Sequence, residues 1–550
     1  MTRSGRLLVA TALISICASA SGQVILDRAD PTITERGLPA LEQAIPEQGQ
    51  LPAAIAPAGP TETPTLLVTP QAIIVTGTEL SPTEFTDIIV RYVGRELGGT
   101  ELAALVTEIA SKVRSAGYPF ASASIAAQAM TAGVLRVTID DGRIDAVRIV
   151  GAEGTRADRL LSRALASGRP VRRADLERAI LLVGDLPGLS VKESRLVRQE
   201  GFNILLVTVE QDRASAYAQV DNRGSDEVGP IRSTILASAR GLLQSGDEFA
   251  SLLANTPIQP SEFAFVRVRY GMPLGLDGGS VSLAGSFGRS NPGASLAALN
   301  VVGKSADAAL LISQPIVRTR RSSLSGSLEL RHIDVEQTLS GLRLRHDRLD
   351  TLTATLDAVA PLIGGTARAQ FLMVAGLPFG GISRAGDALT SRSDGDGRFI
   401  TLGYAADWTL PIAPRVTVIL ASAGQIASRP LLATAEFGVG GPSLGRGYDY
   451  AERTGDEGIA GAAELRLDTG RVAPGVIDRS NLYVFADIGT AWNIGSRGRG
   501  GGTLASAGGG VRAGLGRMDA MAEVALPLNV DRFDTGDRRP RISLRLSRSF

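Results

Sequence analysis

The sequence predicts a transmembrane β-barrel of antiparallel strands, preceded by two small α+β domains, in a chain that leaves the cytoplasm. Three observations predict it. There is an N-terminal export signal, then two copies of one strand-helix-helix-strand-strand pattern, then period-two alternation from about residue 214 to the last residue. Composition narrows the function classes. With 57 Lys+Arg against 56 Asp+Glu in 550 residues, the net charge of +1 offers no basic surface for nucleic acid. Two His and one Cys supply no Cys/His zinc set and little material for an imidazole or thiol active site.

The signal comes first. Arg3 and Arg6 precede an apolar run from Leu7 to Cys17, followed by Ala18-Ser19-Ala20. A basic region, a short apolar core and a small-x-small site read as a secretory signal over residues 1–20. The run is too short to span a bilayer as a helix, which takes about 20 apolar residues. Cleavage after Ala20 removes two arginines and the only cysteine, leaving a net charge of −1 and a mature chain without disulfides. No later stretch offers 18 uncharged apolar residues, so a soluble exported protein or a β-barrel remains.

Residues 21–70 are Pro-rich, from Pro31 to Pro70, and read as an extended linker with a short helix around Leu38–Ile45. The first α+β unit, 71–142, opens with a strand at Ala72–Thr76. Ser81-Pro82-Thr83-Glu84 then reads as a capping box with Pro at the first helical position, starting a helix through about Val93. Leu102, Leu105, Ile109 and Val113 form the stripe of a second helix, about Glu101–Ser115, which Gly117 stops. Strands near Ala121–Ala127 and Val134–Ile139 close the unit. The second unit, 143–211, repeats the order: a strand at Ile144–Val150, helices at about Arg156–Ala166 and Arg173–Val183, and strands near Val191–Arg198 and Asn203–Val209.

From 214 to 550 the helical stripes vanish. Val266, Val268 and Tyr270 alternate with Arg267 and Arg269; Ile542, Leu544 and Leu546 alternate with Arg541, Ser543, Arg545 and Ser547. Such strands need one dry and one wet side. In an outer-membrane barrel the dry side is lipid and the wet side a polar lumen, which accommodates inward arginines. Spans of about 9–11 residues allow roughly 14 to 18 strands in this length. Leu544, Leu546 and the terminal Phe550 read as a barrel C-terminal signal on the strand that closes against the first.

These features resemble the two-partner secretion transporters, the hemolysin secretion/activation family of the superfamily that combines periplasmic POTRA domains with a barrel. The order of parts matches over the whole mature chain. Val220-Asp221-Asn222-Arg223-Gly224 resembles the family's first barrel strand, and Gly241-Leu242-Leu243-Gln244-Ser245-Gly246-Asp247 its next hairpin segment. Gly445-Arg446-Gly447-Tyr448 resembles the tetrapeptide Val-Arg-Gly-Phe/Tyr at the tip of the sixth extracellular loop, with Gly445 departing from the usual Val. Phe485-Ala486-Asp487-Ile488-Gly489 resembles the Phe-x-Asp-x-Gly motif of the inner wall that receives this loop.

The resemblance implies a 16-stranded barrel in the outer membrane with its POTRA domains in the periplasm. It implies export of an unfolded, adhesin- or hemolysin-like, β-helical partner exoprotein, captured by edge-strand addition and passed through the lumen. The strand near Ala121–Ala127, rich in small residues, is the candidate edge. Outer-membrane lipid and the barrel assembly machinery are the other partners implied. Arg446 and Asp487 are the implied loop-to-wall lock, a guanidinium fork on a carboxylate. At an effective dielectric near 20, their attraction at contact is about 4 kcal/mol before desolvation and ordering costs. Gly440, Gly441, Gly445 and Gly447 let the loop turn, and Gly489 leaves space beside the carboxylate. The alternatives are an outer-membrane protein insertion factor, a passive diffusion porin, which leaves two periplasmic domains without a task, and a surface adhesin, which needs no Arg/Asp pair.

Other candidate sites are weaker. Gly303-Lys304-Ser305 lacks the earlier glycine of a phosphate loop, since Ala298 stands there. His332 and His346 read as lumen or loop histidines. Asp394 and Asp396 among glycines suit weak calcium binding or a polar loop equally, and Gly498–Gly502 is a flexible loop. No enzyme, cofactor or metal is expected.

Overall fold

In the computed structural model the described residues are 31–35, 38, 67–129, 131–152, 156–495 and 500–550. The signal segment, most of the Pro-rich stretch with residues 39–45 of the expected helix, and residues 498–499 of the glycine loop lie outside them.

A single helical turn, Pro31–Glu35 (α1), comes first among the described elements. The first α/β unit follows: Ala72–Thr76 (β1), a 3-10 turn at Pro82–Phe85, Thr86–Ile89 (α2), Gly99–Ser115 (α3), Ser122–Ser124 (β2) and Val134–Asp140 (β3). The second contains Ala146–Val150 (β4), Arg156–Leu165 (α4), Arg173–Gly184 (α5), Leu189–Gln199 (β5) and Phe202–Gln211 (β6). In both sheets the third strand lies between the first, which runs parallel to it, and the second, which runs antiparallel. The parallel pair needs the helical crossover that each sequence supplies.

Two expected elements differ. The helix expected through Val93 breaks into the 3-10 turn and one α turn, because the Ser81 hydroxyl bonds Thr83 Oγ1 at 2.8 Å and caps no backbone group. The β-branched Ile88, Ile89 and Val90 disfavour continuation. The strand expected over Ala121–Ala127 is only β2, three residues long, and it does form a sheet edge.

The units are fastened together. Phe120 of the first is buried in the core of the second among Ile144, Leu160 and Leu176. Tyr118 donates to Glu79 at 2.8 Å, and Arg172 of the second unit reaches Glu79 at 3.4 Å while lying over the Tyr118 ring. The Tyr118 hydroxyl, and after it Arg172, holds the Glu79 carboxyl below its usual range.

Sixteen antiparallel strands, from Ala214–Asp221 to Arg541–Ser549, close into a barrel. On the strand Arg479–Trp492, Tyr483, Phe485 and Asp487 are buried and alternate with exposed Leu482, Val484 and Ile488, so the polar face is the lumen and the apolar face points outward. The first and last strands pair only from Tyr217↔Ser549 to Asp221↔Arg545, the shortest ladder of the barrel. The Asn222 side chain extends this seam by donating to Ile542 O at 2.9 Å and accepting from Leu544 N–H at 2.7 Å. Phe550 N–H donates to Ala216 O at 2.9 Å, and the side chains of Leu544, Leu546 and Phe550 are exposed outward.

The second unit docks on the near end of the barrel through α5. Asp185 accepts from Nε and Nη2 of Arg318 at 2.7 and 2.8 Å. Arg178 donates to Pro315 O and Ile316 O at a register shift in the ladder. Helix α1 sits in the lumen: Ser305 donates to Glu35 at 2.5 Å, and Gly288 leaves room for Pro31 and Glu35.

Candidate functional site: the loop tip in the barrel wall

The loop 428–456, at the far end of the barrel, joins the strands Val416–Ala427 and Glu457–Asp468. It carries its own hairpin, Phe437–Val439 with Arg453–Gly455. Beyond it, Gly440 and Gly441 at φ +114° and Gly445 at φ +85° turn the chain back into the lumen. The value at 445 explains the departure from valine, since a β-branched residue is strained there.

Arg446 is 8% exposed and lies against the inner wall. Its guanidinium does not meet Asp487, the pairing expected from the motif. Nη1 donates to Glu464 Oε2 at 2.9 Å and approaches Glu523 Oε2 at 3.4 Å, and Cζ stands 4.2 Å from the centroid of the Phe485 ring. Asp487 instead accepts the backbone N–H of Arg446 at 3.2 Å and the Ser506 hydroxyl. Gly447 N–H donates to Ser506 Oγ at 3.1 Å, so Asp487 and Ser506, directly opposite on neighbouring strands, hold the loop backbone. The physical reason lies in spacing: an amide aimed at the wall brings its own side chain past the carboxylate, onto the ring two residues earlier and the glutamates beyond it.

The motif residues therefore divide the work. Phe485 is a cation-π platform, an arrangement worth about 0.5–2 kcal/mol. Gly489 leaves space for the loop hairpin rather than for the carboxylate: a Cβ there would stand 2.6 Å from Val439 Cγ1. A Cβ on Gly447 would stand 2.9 Å from that of Ser506. Tyr448 is fully buried against Val439, Ala491 and Leu504, with its hydroxyl 3.0 Å from Asn529 Oδ1.

Sequence reading missed the anionic half of this lock. Glu464 also binds Arg466 and Arg512 at 2.8 and 2.9 Å, and Glu523 also accepts from Arg223 and from Tyr483 Oη. Asp449, next after Tyr448, pairs with Arg541 of the last strand. Gly508 and Gly510 oppose Phe485 and Tyr483, where a Cβ would meet their rings. That glycine run, Gly508-Gly509-Gly510 inside a strand, is a second sequence signal for this wall beside the Phe485–Gly489 motif, and sequence reading passed over it. A cavity of about 270 Å³ remains beside the lock, bounded by Leu38, Arg223, Pro442, Arg446 and Glu523.

The remaining candidates resolve into ion pairs. Asp394 binds Arg392 at 2.7 Å and Asp396 binds Arg398 at 3.0 Å; among the described residues no acidic or His/Cys cluster is arranged for a metal. His332 bonds Asp350 at 2.6 Å and His346 lies 3.1 Å from Asp334. The Gly241–Asp247 segment is a turn at the near end, closed by Asp247, which accepts the N–H groups of Leu242, Leu243 and Gln244 at 2.8–2.9 Å.

Comparison with known proteins bears on the family and the fold. The family model for the haemolysin secretion/activation proteins ShlB/FhaC/HecB matches residues 201–513, and that for the ShlB-type POTRA domain matches residues 68–142. The chain is 22% identical over 395 residues to the heme/hemopexin transporter protein HuxB of Haemophilus influenzae strain 86-028NP, covering 69% of this chain and 68% of the relative. The fold is similar to that of CdiB from Escherichia coli, with a TM-score of 0.70 at 19% identity over 91% of this chain and 94% of that one. CdiB from Acinetobacter baumannii gives 0.62 at 16% identity over 90% and 95%.

Proposed function

The chain belongs to the ShlB/FhaC/HecB family of haemolysin secretion/activation proteins, and from that premise we propose how its parts divide the work of export. It is a two-partner secretion transporter of the outer membrane, with POTRA domains on the periplasmic side and a secreted exoprotein as its partner. In this reading its work is transport, and the site described above, a set of ion pairs and backbone hydrogen bonds, holds a loop in place.

The partner in this reading is an unfolded, adhesin- or haemolysin-like chain that folds into a β-helix outside the cell. Strand β2 leaves one edge unpaired in the first sheet, and an extended segment adding there gains main-chain hydrogen bonds with little sequence demand. From there the chain meets a chamber of about 620 Å³ between Asp185–Pro187 of the second unit and the near end of the lumen. Folding outside the cell supplies the directionality. Two objects stand in the way: helix α1 and the loop tip.

The tip carries the proposal, because Arg446 is held against the lumen wall by Glu464, Glu523 and Phe485 and not by covalent restraint. A charged contact of this kind exchanges with water when the loop withdraws, which suits a part that must move and return. The test is export of a candidate partner exoprotein co-expressed with this chain. Wild-type cells should release it, and cells with Glu464→Gln and Glu523→Gln together should not, although the barrel inserts. Loss of bulk outer-membrane proteins on depletion, without any export defect, would support the insertion-factor alternative instead.

A further inference from the structure

Extracellular to the Arg446 lock, three loops meet at a second buried ion pair that no sequence motif marks. Arg392 stands in the loop 377–399 and Asp456 is the last residue of the loop 428–456. Their side chains are 3% and 0% exposed. Arg392 Nη1 lies 2.8 Å from both carboxylate oxygens of Asp456, and Nη2 donates to Ile494 O, in the next loop, at 2.9 Å. Nη1 also reaches Asn493 Oδ1 at 3.1 Å and Nε reaches Asp394 at 2.7 Å. Asp456 in turn accepts the backbone N–H groups of Leu431 and Ile494 at 2.7 and 2.8 Å.

The surroundings bind the same loops. Leu431 and Leu432 are fully buried against Leu349 and Phe399. Ala433 N–H donates to Ser391 Oγ at 3.0 Å, and Asp396 N–H to Pro430 O at 3.2 Å. The stem of the loop that carries Arg446 is thus fixed to its neighbours at one end while its tip is fixed to the wall at the other.

We infer that Arg392 and Asp456 are a second latch, which holds the outer stem of this loop shut over the lumen independently of the Arg446 tip and must part for an exported chain to leave. The inference rests on the transport reading. A buried charge pair is a poor source of stability but separates into two hydrated groups when loops move apart. Asp456 keeps the Leu431 N–H of its own loop after Arg392 leaves, so the stem returns to a defined place. Arg392 is a positioning residue, acting through the loop it holds.

The purified full chain in planar bilayers of known lipid gives one readout. Arg392→Gln should raise the frequency of channel openings about tenfold over the parent, with Arg392→Lys between them, because one partner of a buried pair is removed. Openings at the parent frequency would overturn the latch. Export gives the second, using Ser391→Cys with Ala433→Cys in a chain whose one native cysteine is Cys17. Once oxidised to a disulfide, seen as a gel shift, this pair should block export, and dithiothreitol should restore it. Export at the parent rate through the oxidised form would overturn the latch as well. Absence of export from the parent itself would count against the transport reading, while the bilayer result still decides the latch.

Discussion

Asp487 shows at the scale of one residue how motif and mechanism separate. Its Oδ2 accepts the Arg446 amide and its Oδ1 the Ser506 hydroxyl; an asparagine keeps its carbonyl on the Arg446 amide and donates from Nδ2 to Ser506 Oγ, whose hydroxyl turns from donor to acceptor. Asp487→Asn should therefore cost the loop under about 1 kcal/mol and leave export near the parent level. A guanidinium fork on Asp487 would instead make that substitution as damaging as Arg446→Ala. Arg446→Ala leaves Glu464 with two arginines, so its cost should be nearer 2 kcal/mol than the 3–5 roughly expected for orphaning a buried charge. Gly489→Leu drives a side chain into Val439 and should unseat the loop without lowering barrel insertion, read as increased detergent-state protease cutting within 440–451. Arg446, Asp487 and their glycines were legible because a glycine-flanked arginine and a spaced aromatic-acid-glycine run are rare. Glu464, Glu523 and Ser506 were not, since alternation reveals only that a residue faces the lumen, and every inward polar residue looks alike.

Elements carry the hinges and the seam. The barrel closes over five paired positions, and the Asn222 amide adds two side-chain hydrogen bonds beyond them. Asn222→Ala should remove about 1–2 kcal/mol from closure and lower the temperature at which the folded barrel band disappears on gels. Between the POTRA units, the Glu79 carboxyl lies below its ordinary range, so the clasp with Tyr118 and Arg172 is fully present above the unfolded value of about 4.3. It is lost as pH falls through the lower folded value, because the protonated acid no longer attracts Arg172. Spin labels on the two units should show a broader distance distribution at pH 3 than at pH 7, and Glu79→Gln should give the broad one at both. The helices of the second unit were readable because apolar stripes survive in them. The first helix of the first unit was not, because Ser81 spends its hydroxyl on a neighbouring side chain and a β-branched run follows.

For the whole molecule, alternation and length carried the barrel, and the resemblance carried its strand number. What one sequence did not contain was the packing between parts: Arg318 on Asp185, Arg178 on the carbonyls at a register shift, and α1 inside the lumen pair residues more than a hundred positions apart. These contacts join the second unit and α1 to the barrel. The most direct test of that account is export of the partner exoprotein from cells carrying the intact chain or Arg446→Ala, with insertion checked by heat-modifiable gel mobility. The account predicts export by the intact chain and a drop of about tenfold or more from an Arg446→Ala barrel that still inserts, since each 1.4 kcal/mol is tenfold. Export at the intact level by an inserted Arg446→Ala barrel would contradict it.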